Sequence, residues 1–449
     1  MKTASERQVQ SPPRRFGPNR HWLILGIGVA AQASFAAAFS GIPVTGPILR
    51  ADYHLSNQAL GLVLGCIALG IAVSEIRWGL WTDRWGERRI LLIGLLSTGA
   101  WLTVMAIVLV PAGRAVPSVI LLAGAFLLVG ILGGSVNGSS GRAVMAWFRH
   151  GSRGFAMSIR QTAIPAGGAI GAALLPWLAI NYGFRPVYGV LALFCFASAL
   201  ATWRWLHAAP QTAATVRASA AAEQEAGPLR RWDVWRLALA SGLLTVPQFA
   251  VLTFSAVFLV DTRHVGLLIA SVTILIVQVG GAIARVWSGR WTDKHENRRF
   301  YIRGIGVLTA LAFVAVAVLV HAPVIVTAGS LAVGGILASA WHGVAYAEIA
   351  SMAGADRSGT ALGLENTTVF SAAFLAPLLI PVVLLVAPWS VVWLIAGACA
   401  LVAVPLAPRP AHRVPDPDQI ADRPPGTAAD HVAAVQRYPT KLPARYSDS

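Results

Sequence analysis

The sequence predicts an all-α polytopic membrane protein, with twelve transmembrane helices in two pseudo-symmetric six-helix bundles. Three observations predict it. Of 449 residues, 56% are hydrophobic and only 12% are charged, too apolar a balance for an ordinary soluble domain. Runs of roughly 20 apolar residues, the length a helix needs to cross a bilayer, recur along the chain. A polar interruption between two such runs, Gly79-Leu80-Trp81-Thr82-Asp83-Arg84-Trp85-Gly86-Glu87-Arg88-Arg89, returns as Gly289-Arg290-Trp291-Thr292-Asp293-Lys294-His295-Glu296-Asn297-Arg298-Arg299. Two in-register copies indicate duplication.

Taken in order, residues 1–20 form a polar, basic tail with Arg7, Arg14, Arg15 and Arg20, expected in the cytoplasm. The run that follows lacks a convincing cleavage site and is read as a retained span. Apolar runs near 21–48, 57–78, 90–110, 117–146, 155–180 and 186–206 make the first bundle, 21–206. An Ala-rich polar stretch, 207–233, reads as a cytoplasmic linker. Runs near 234–260, 265–288, 301–321, 323–350, 359–386 and 389–407 make the second bundle, 234–407. The tail 408–449 is rich in Pro, Arg and Asp, and a disordered cytoplasmic segment is expected there.

The net charge of +16 sits in short loops, which speaks for membrane orientation and against a nucleic-acid partner. A cytoplasmic amino terminus puts Arg84, Arg88, Arg89, Arg149, Arg153, Arg230, Arg231, Arg290, Lys294, Arg298, Arg299 and Arg357 on the inner side. It leaves Arg50, Arg114, Arg185 and Arg263 outside. The expectation is a multi-pass inner (cell) membrane protein with both termini and both motif copies cytoplasmic. Cys66, Cys195 and Cys399 are scattered in apolar runs, so neither a disulfide framework nor a metal site is expected.

Two sets of six spans, a central linker and the pattern Gly-x-x-x-Asp-Arg-x-Gly-x-Arg-Arg after span 2 resemble the major facilitator superfamily. The likeness covers the chain apart from its tails. It departs from the usual pattern at Trp81 and Glu87. The resemblance implies secondary transport by alternating access, with no cofactor, a proton gradient as the energy source, a small-molecule substrate and a monomer in the lipid bilayer. It also implies a gate built from Gly79, Asp83, Arg84, Gly86 and Arg88, with Gly289, Asp293 and Arg298 as the second copy. Gly79 would allow close packing, Asp83 would meet a helix amino end in the other half, and Arg84 and Arg88 would engage carboxylates. Arg285, in an Ala-Arg-x-x-x-Gly-Arg-x-x-Asp context, is similar to the anion-binding Arg of nitrate/nitrite porters, although Glu75 holds the first-half position. Pro165-Ala166-Gly167-Gly168 partly matches an antiporter motif, which keeps drug or metabolite efflux open.

Charges within spans are costly and need a partner, a wet cavity or a function. Glu75 and Arg285 each stand four residues before their motif Gly, and Arg160 and Glu365 each stand six after a Gly that opens a span. Arg142 and Glu348 are a third near-equivalent pair. The family arrangement would permit structural ion pairs of Glu75 with Arg142 and of Arg285 with Glu348. It would also set Arg160 beside Arg285, as a site for an anion, and Glu365 beside Glu75, as a proton-coupling site. Gln161, His342 and Asn366 complete the candidates, with His342 a possible proton carrier. Gln32, Ser34, Asn137, Gln248, Gln278 and Tyr346 read chiefly as interhelical hydrogen-bonding residues. A membrane-embedded enzyme is the competing class, but no nucleophile cluster, His-Glu-x-x-His or P-loop pattern occurs.

Overall fold

The computed structural model describes residues 19–111, 115–148, 150–207 and 227–409. Residues 1–18, 208–226 and 410–449, with Arg114 and Arg149, lie outside the described residues; the expectations for both tails and most of the linker fall there. Among the described residues, twelve helices are long and apolar enough to cross a membrane. They are α1 (Arg20–Asp52), α2 (Gln58–Trp85), α3 (Glu87–Val108), α4 (Val119–Trp147), α5 (Arg153–Tyr182) and α6 (Phe184–Trp205), then α7 (Trp232–Thr262), α8 (Ile269–His295), α9 (Arg298–His321), α10 (Val324–Ala353), α11 (Ser358–Leu384) and α12 (Trp389–Leu406).

Local chemistry sets the ends. Ser56 and Ser118 cap α2 and α4, their hydroxyls accepting from the amides of Ala59 at 3.1 Å and Leu121 at 3.3 Å. Nothing in the first motif copy breaks a helix before Gly86, so α2 continues through Trp85 and most of the expected loop is helical. Gly86, at φ 85° with an extended ψ of 152°, then turns the chain into α3, while the second copy turns at the matching position through a left-handed Glu296, φ 50° and ψ 38°, followed by Asn297. We call the side bearing these two turns the motif face.

Large apolar side chains such as Ile107, Ile120, Leu193, Val318, Ile325 and Leu385 point outward, as lipid-facing residues must. Interiors rely on small residues that let backbones approach. A Cβ at Gly70 would lie 2.1 Å from the carbonyl oxygen of Leu127, so α2 meets α4 backbone to backbone. Within the halves α1 packs on α5, α3 on α6, α7 on α11 and α9 on α12; across them α2 packs on α11, and α5 on α8 and α10.

Three spans are interrupted. α1 has a tight 3-10 turn at Ile42–Thr45, α5 divides at Thr162, and α10 divides between Ser339 and His342. The seams between halves also differ. The α2–α11 seam runs from Asp83 against Gly359, through Thr367 donating to the Ala72 carbonyl at 3.1 Å, to Gly65 against Phe374. On the other side, α5 meets α8 from Asp293 to Arg285 and no deeper by any described hydrogen bond. Between α1 and α7 no broad contact forms among the described residues, so the α5–α8 side is joined toward the motif face alone while the α2–α11 side is joined through most of its depth.

Candidate functional site

Both motif aspartates dock on helix amino ends of the opposite half. Asp83 accepts from the amides of Gly359 at 2.9 Å and Thr360 at 2.7 Å, and from the Thr360 hydroxyl at 2.5 Å. Asp293 accepts from the amides of Gly154 at 3.1 Å and Phe155 at 2.8 Å. These amides are unused by the helix itself, and its dipole favours a negative charge there. The approach needs glycine: a Cβ at Gly79 would lie 2.4 Å from the Gly359 carbonyl oxygen, and one at Gly289 would lie 2.5 Å from that of Gly154.

The basic residues of the motif behave otherwise than expected. Arg88 donates to the carbonyl of Trp203 at 2.7 Å, not to a carboxylate. Arg84 is exposed and lines a recess of about 730 Å³ with Arg230 and Arg357. The cation beside Asp83 is Arg142, 3.6 Å away, which is also 3.8 Å from Glu87 and bonds the Thr82 carbonyl. In the second half Arg298 pairs with Asp293 at 2.8 Å.

Neither expected ion pair between matched spans forms, and helix register is the reason. Arg142 stands level with Asp83, whereas Glu75 is eight residues deeper along α2, about 12 Å at 1.5 Å per residue. Glu348 pairs with Arg299 at 2.5 Å. Arg285 is held nine residues away along α10, at the Ser339 carbonyl.

Deeper in, the remaining charges meet around Tyr346. Arg160, Glu75 and Glu365 each lie within electrostatic range of its phenol, as does Arg285. All four charged side chains are buried, Glu75 and Glu365 at 0%, Arg160 at 1% and Arg285 at 5% exposure, which is costly unless each is compensated.

Arg160 and Glu75 are compensated through a relay. Arg160 donates to the Ser140 hydroxyl at 3.0 Å, to Gln32 Oε1 at 2.7 Å and to the Asn137 carbonyl at 2.5 Å. Gln32 Nε2 donates to Asn137 Oδ1 at 2.8 Å, and Asn137 Nδ2 to Glu75 Oε1 at 2.5 Å. From the other half, Tyr346 donates to Asn366 Oδ1 at 2.6 Å, and Asn366 Nδ2 to Glu75 Oε2 at 3.3 Å. Glu75 is therefore joined to both halves.

Arg285 is held differently. Nε donates to the Ser339 carbonyl at 2.9 Å and Nη1 to the Gln161 carbonyl at 3.1 Å. Each acceptor is at a helix interruption. Pro165 has no amide hydrogen to return to the Gln161 carbonyl one turn back. His342 stacks on Trp341 with ring centroids 3.9 Å apart, and its Nδ1 lies 3.2 Å from the Ser339 carbonyl. Glu365 accepts from the Ser241 hydroxyl at 2.7 Å through Oε1, while its buried Oε2 has no hydrogen-bond partner.

Sequence reasoning did not single out Ser140 or Ser241, since a serine in an apolar run carries no signal of its own. Pro165, a kinking proline within span 5, was the sequence sign of the interruption at Thr162, whereas the one at Ala340 carried no such sign.

Two helical halves, joined toward one face by reciprocal latches and enclosing buried charge between them, define a carrier of the alternating-access class. The family model of the Major Facilitator Superfamily matches residues 28–377 and 289–436. The chain belongs to the major facilitator superfamily, and it is a transporter, not an enzyme. An uncharacterised MFS-type transporter of Mycobacterium tuberculosis is 31% identical over 397 residues, 87% of this chain and 86% of that protein. A hexuronate transporter of Bacillus subtilis is 22% identical over 306 residues, 65% of this chain and 70% of its own. Among solved structures, the proton:xylose symporter XylE bound to 6-bromo-6-deoxy-D-glucose superposes with a TM-score of 0.65 at 17% identity, covering 87% of this chain and 95% of that one. FucP in its outward conformation gives 0.63 at 14% identity, covering 86% and 98%. At these identities the two structures establish the fold.

Proposed function

We propose that this transporter moves a small, polar, anionic solute together with protons, as a monomer in the inner membrane, with the motif face and both termini cytoplasmic. The observation that carries the anionic reading is Arg285. It is buried, its hydrogen bonds go only to backbone carbonyls, and no carboxylate pairs with it among the described residues. Neutral carbonyls leave a full positive charge uncancelled in a low-dielectric interior, which favours an anion able to use the guanidinium fork. Arg160, one residue from the Gln161 carbonyl, supplies a second cation. The hexuronate transporter among the relatives takes its name from an acid-bearing solute. The distribution of arginines between loops supports the orientation, and the buried carboxyls of Glu75 and Glu365 supply groups able to carry protons.

The test is flux into proteoliposomes under an imposed pH gradient, screening small carboxylates against cationic dyes. Concentrative uptake of a carboxylate that is lost in Arg285→Ala, with the variant still monodisperse, is the expected result. Uptake unchanged in Arg285→Ala overturns the anion site. Dye extrusion driven by the gradient would instead make the protein an efflux antiporter.

A further inference from the structure

The two buried glutamates have hydrogen-bond partners of different chemistry. At Glu75 both oxygens face amide nitrogens, Asn137 Nδ2 on Oε1 and Asn366 Nδ2 on Oε2. The first of these orientations is not free to reverse. Arg160 can only donate, so it fixes the oxygen of Gln32; Gln32 must then offer its nitrogen to Asn137, and Asn137 its nitrogen to Glu75. A proton on Oε1 would confront a donor with a donor. Glu75 also has Arg160 as a nearby counter-charge.

Glu365 has none of this. Its one hydrogen-bond partner is the Ser241 hydroxyl, on Oε1, and Oε2 has no partner although it is buried. A hydroxyl donates or accepts with equal ease, so the same Ser241 contact serves an ionised and a protonated carboxyl. The helices packed on α11 are α2, α4, α7, α10 and α12. They bring to Glu365 the Tyr346 phenol of α10, Ser241 of α7 and, on α2, Glu75, whose backbone lies against Gly363; the arginine of α4, Arg142, is held at Asp83 and Glu87 instead, and α12 carries no charged residue. None of the groups at Glu365 is a cation. A bare charge buried without compensation costs far more than a neutral carboxyl in the same place.

We infer that Glu365 is the residue that takes up and releases the coupled proton, while Glu75 stays ionised as the fixed partner of Arg160. The inference rests on the proton-coupled reading above and divides its two carboxyls into separate roles. The proton binds a Glu365 oxygen to give the neutral acid, with Ser241 turning from donor to acceptor if Oε1 is the oxygen protonated. It leaves again as the carboxyl meets water on the receiving side. No other bond is made or broken.

The test needs no substrate. Infrared difference spectra of the purified protein in liposomes, recorded between acidic and alkaline buffer, read the carbonyl stretch of a protonated carboxyl directly. The expected result is a titrating band that is lost in Glu365→Gln and retained in Glu75→Gln. In Ser241→Ala, where the side-chain packing is hardly altered, the band should persist at a shifted frequency because its hydrogen bond is gone. A band that survives in Glu365→Gln, or that disappears in Glu75→Gln alone, overturns the assignment, as does a wild-type spectrum with no titrating band. Carboxylate flux reports on Arg285 separately, so the anion reading can fail while this assignment stands, and the reverse.

Discussion

Arg285 Nη1 lies 3.1 Å from the backbone carbonyl of Gln161, a hydrogen bond that crosses from the second half of the protein to the first. It exists because Pro165 cannot supply the amide hydrogen that would ordinarily occupy that carbonyl. Pro165→Ala restores a competing donor within α5. The cross-half bond should weaken by about 1 kcal/mol, the usual net worth of such a contact and roughly a fivefold change in an equilibrium. The readout is maleimide labelling of Ser158→Cys, a position packed against Gly289 while the motif face is closed. Labelling from the motif face should rise about fivefold, and unchanged labelling would show that Gln161 does not hold the halves together.

Asp83 and Asp293 act at separate helix pairs. Removing the charge while keeping the shape, as Asp83→Asn or Asp293→Asn, should cost about 1–2 kcal/mol of motif-face closure each, as expected for a carboxylate at a helix amino end. The double variant should show nearly the sum, since the two sites share no partner. The same labelling assay measures this, and a double variant no more open than either single one would mean that the latches are a single unit.

Arg142 and Arg84 should part company. Arg142→Ala leaves Asp83 and Glu87 without their nearby cation, and about 2 kcal/mol of stability should go with it. Arg84→Ala, at an exposed side chain, should stay within about 0.5 kcal/mol of wild type. Thermal unfolding in detergent compares them, and equal losses would contradict the pairing of Arg142 with Asp83 and Glu87.

Composition and apolar run lengths were enough for the fold, because in lipid every backbone amide must bond within its own helix and so length alone reports a span. The duplicated motif was also legible, and with it the equivalence of Glu75 and Arg285. Partnering was not. Arg142 and Glu75 share neighbouring helices, yet a few residues of register separate them, and spacing within one helix says nothing about the axial offset of the next. The relay from Arg160 to Glu75 was invisible for another reason: Gln32, Asn137 and Asn366 come from three helices, and their amides take their orientation from one another.

Glu296 holds a left-handed conformation at φ 50°, where the first motif copy has Gly86. Such a backbone costs a residue with a side chain about 1 kcal/mol or more. Glu296→Gly should therefore raise the unfolding temperature slightly and leave transport unchanged. A fall in stability would show that contacts of the Glu296 side chain outweigh the strain.

The two arginines and two glutamates buried between the halves also bear on voltage. With both carboxyls ionised the four charges cancel, so the empty carrier can return across the bilayer without moving charge. One proton on Glu365 together with one monoanion beside Arg285 leaves the balance at zero again. Each unit of charge moved through the membrane field is worth about 2.3 kcal/mol per 100 mV, and on this balance none moves in either leg. A monoanion would then accumulate to a ratio set by the pH difference alone, equal in polarised and depolarised vesicles.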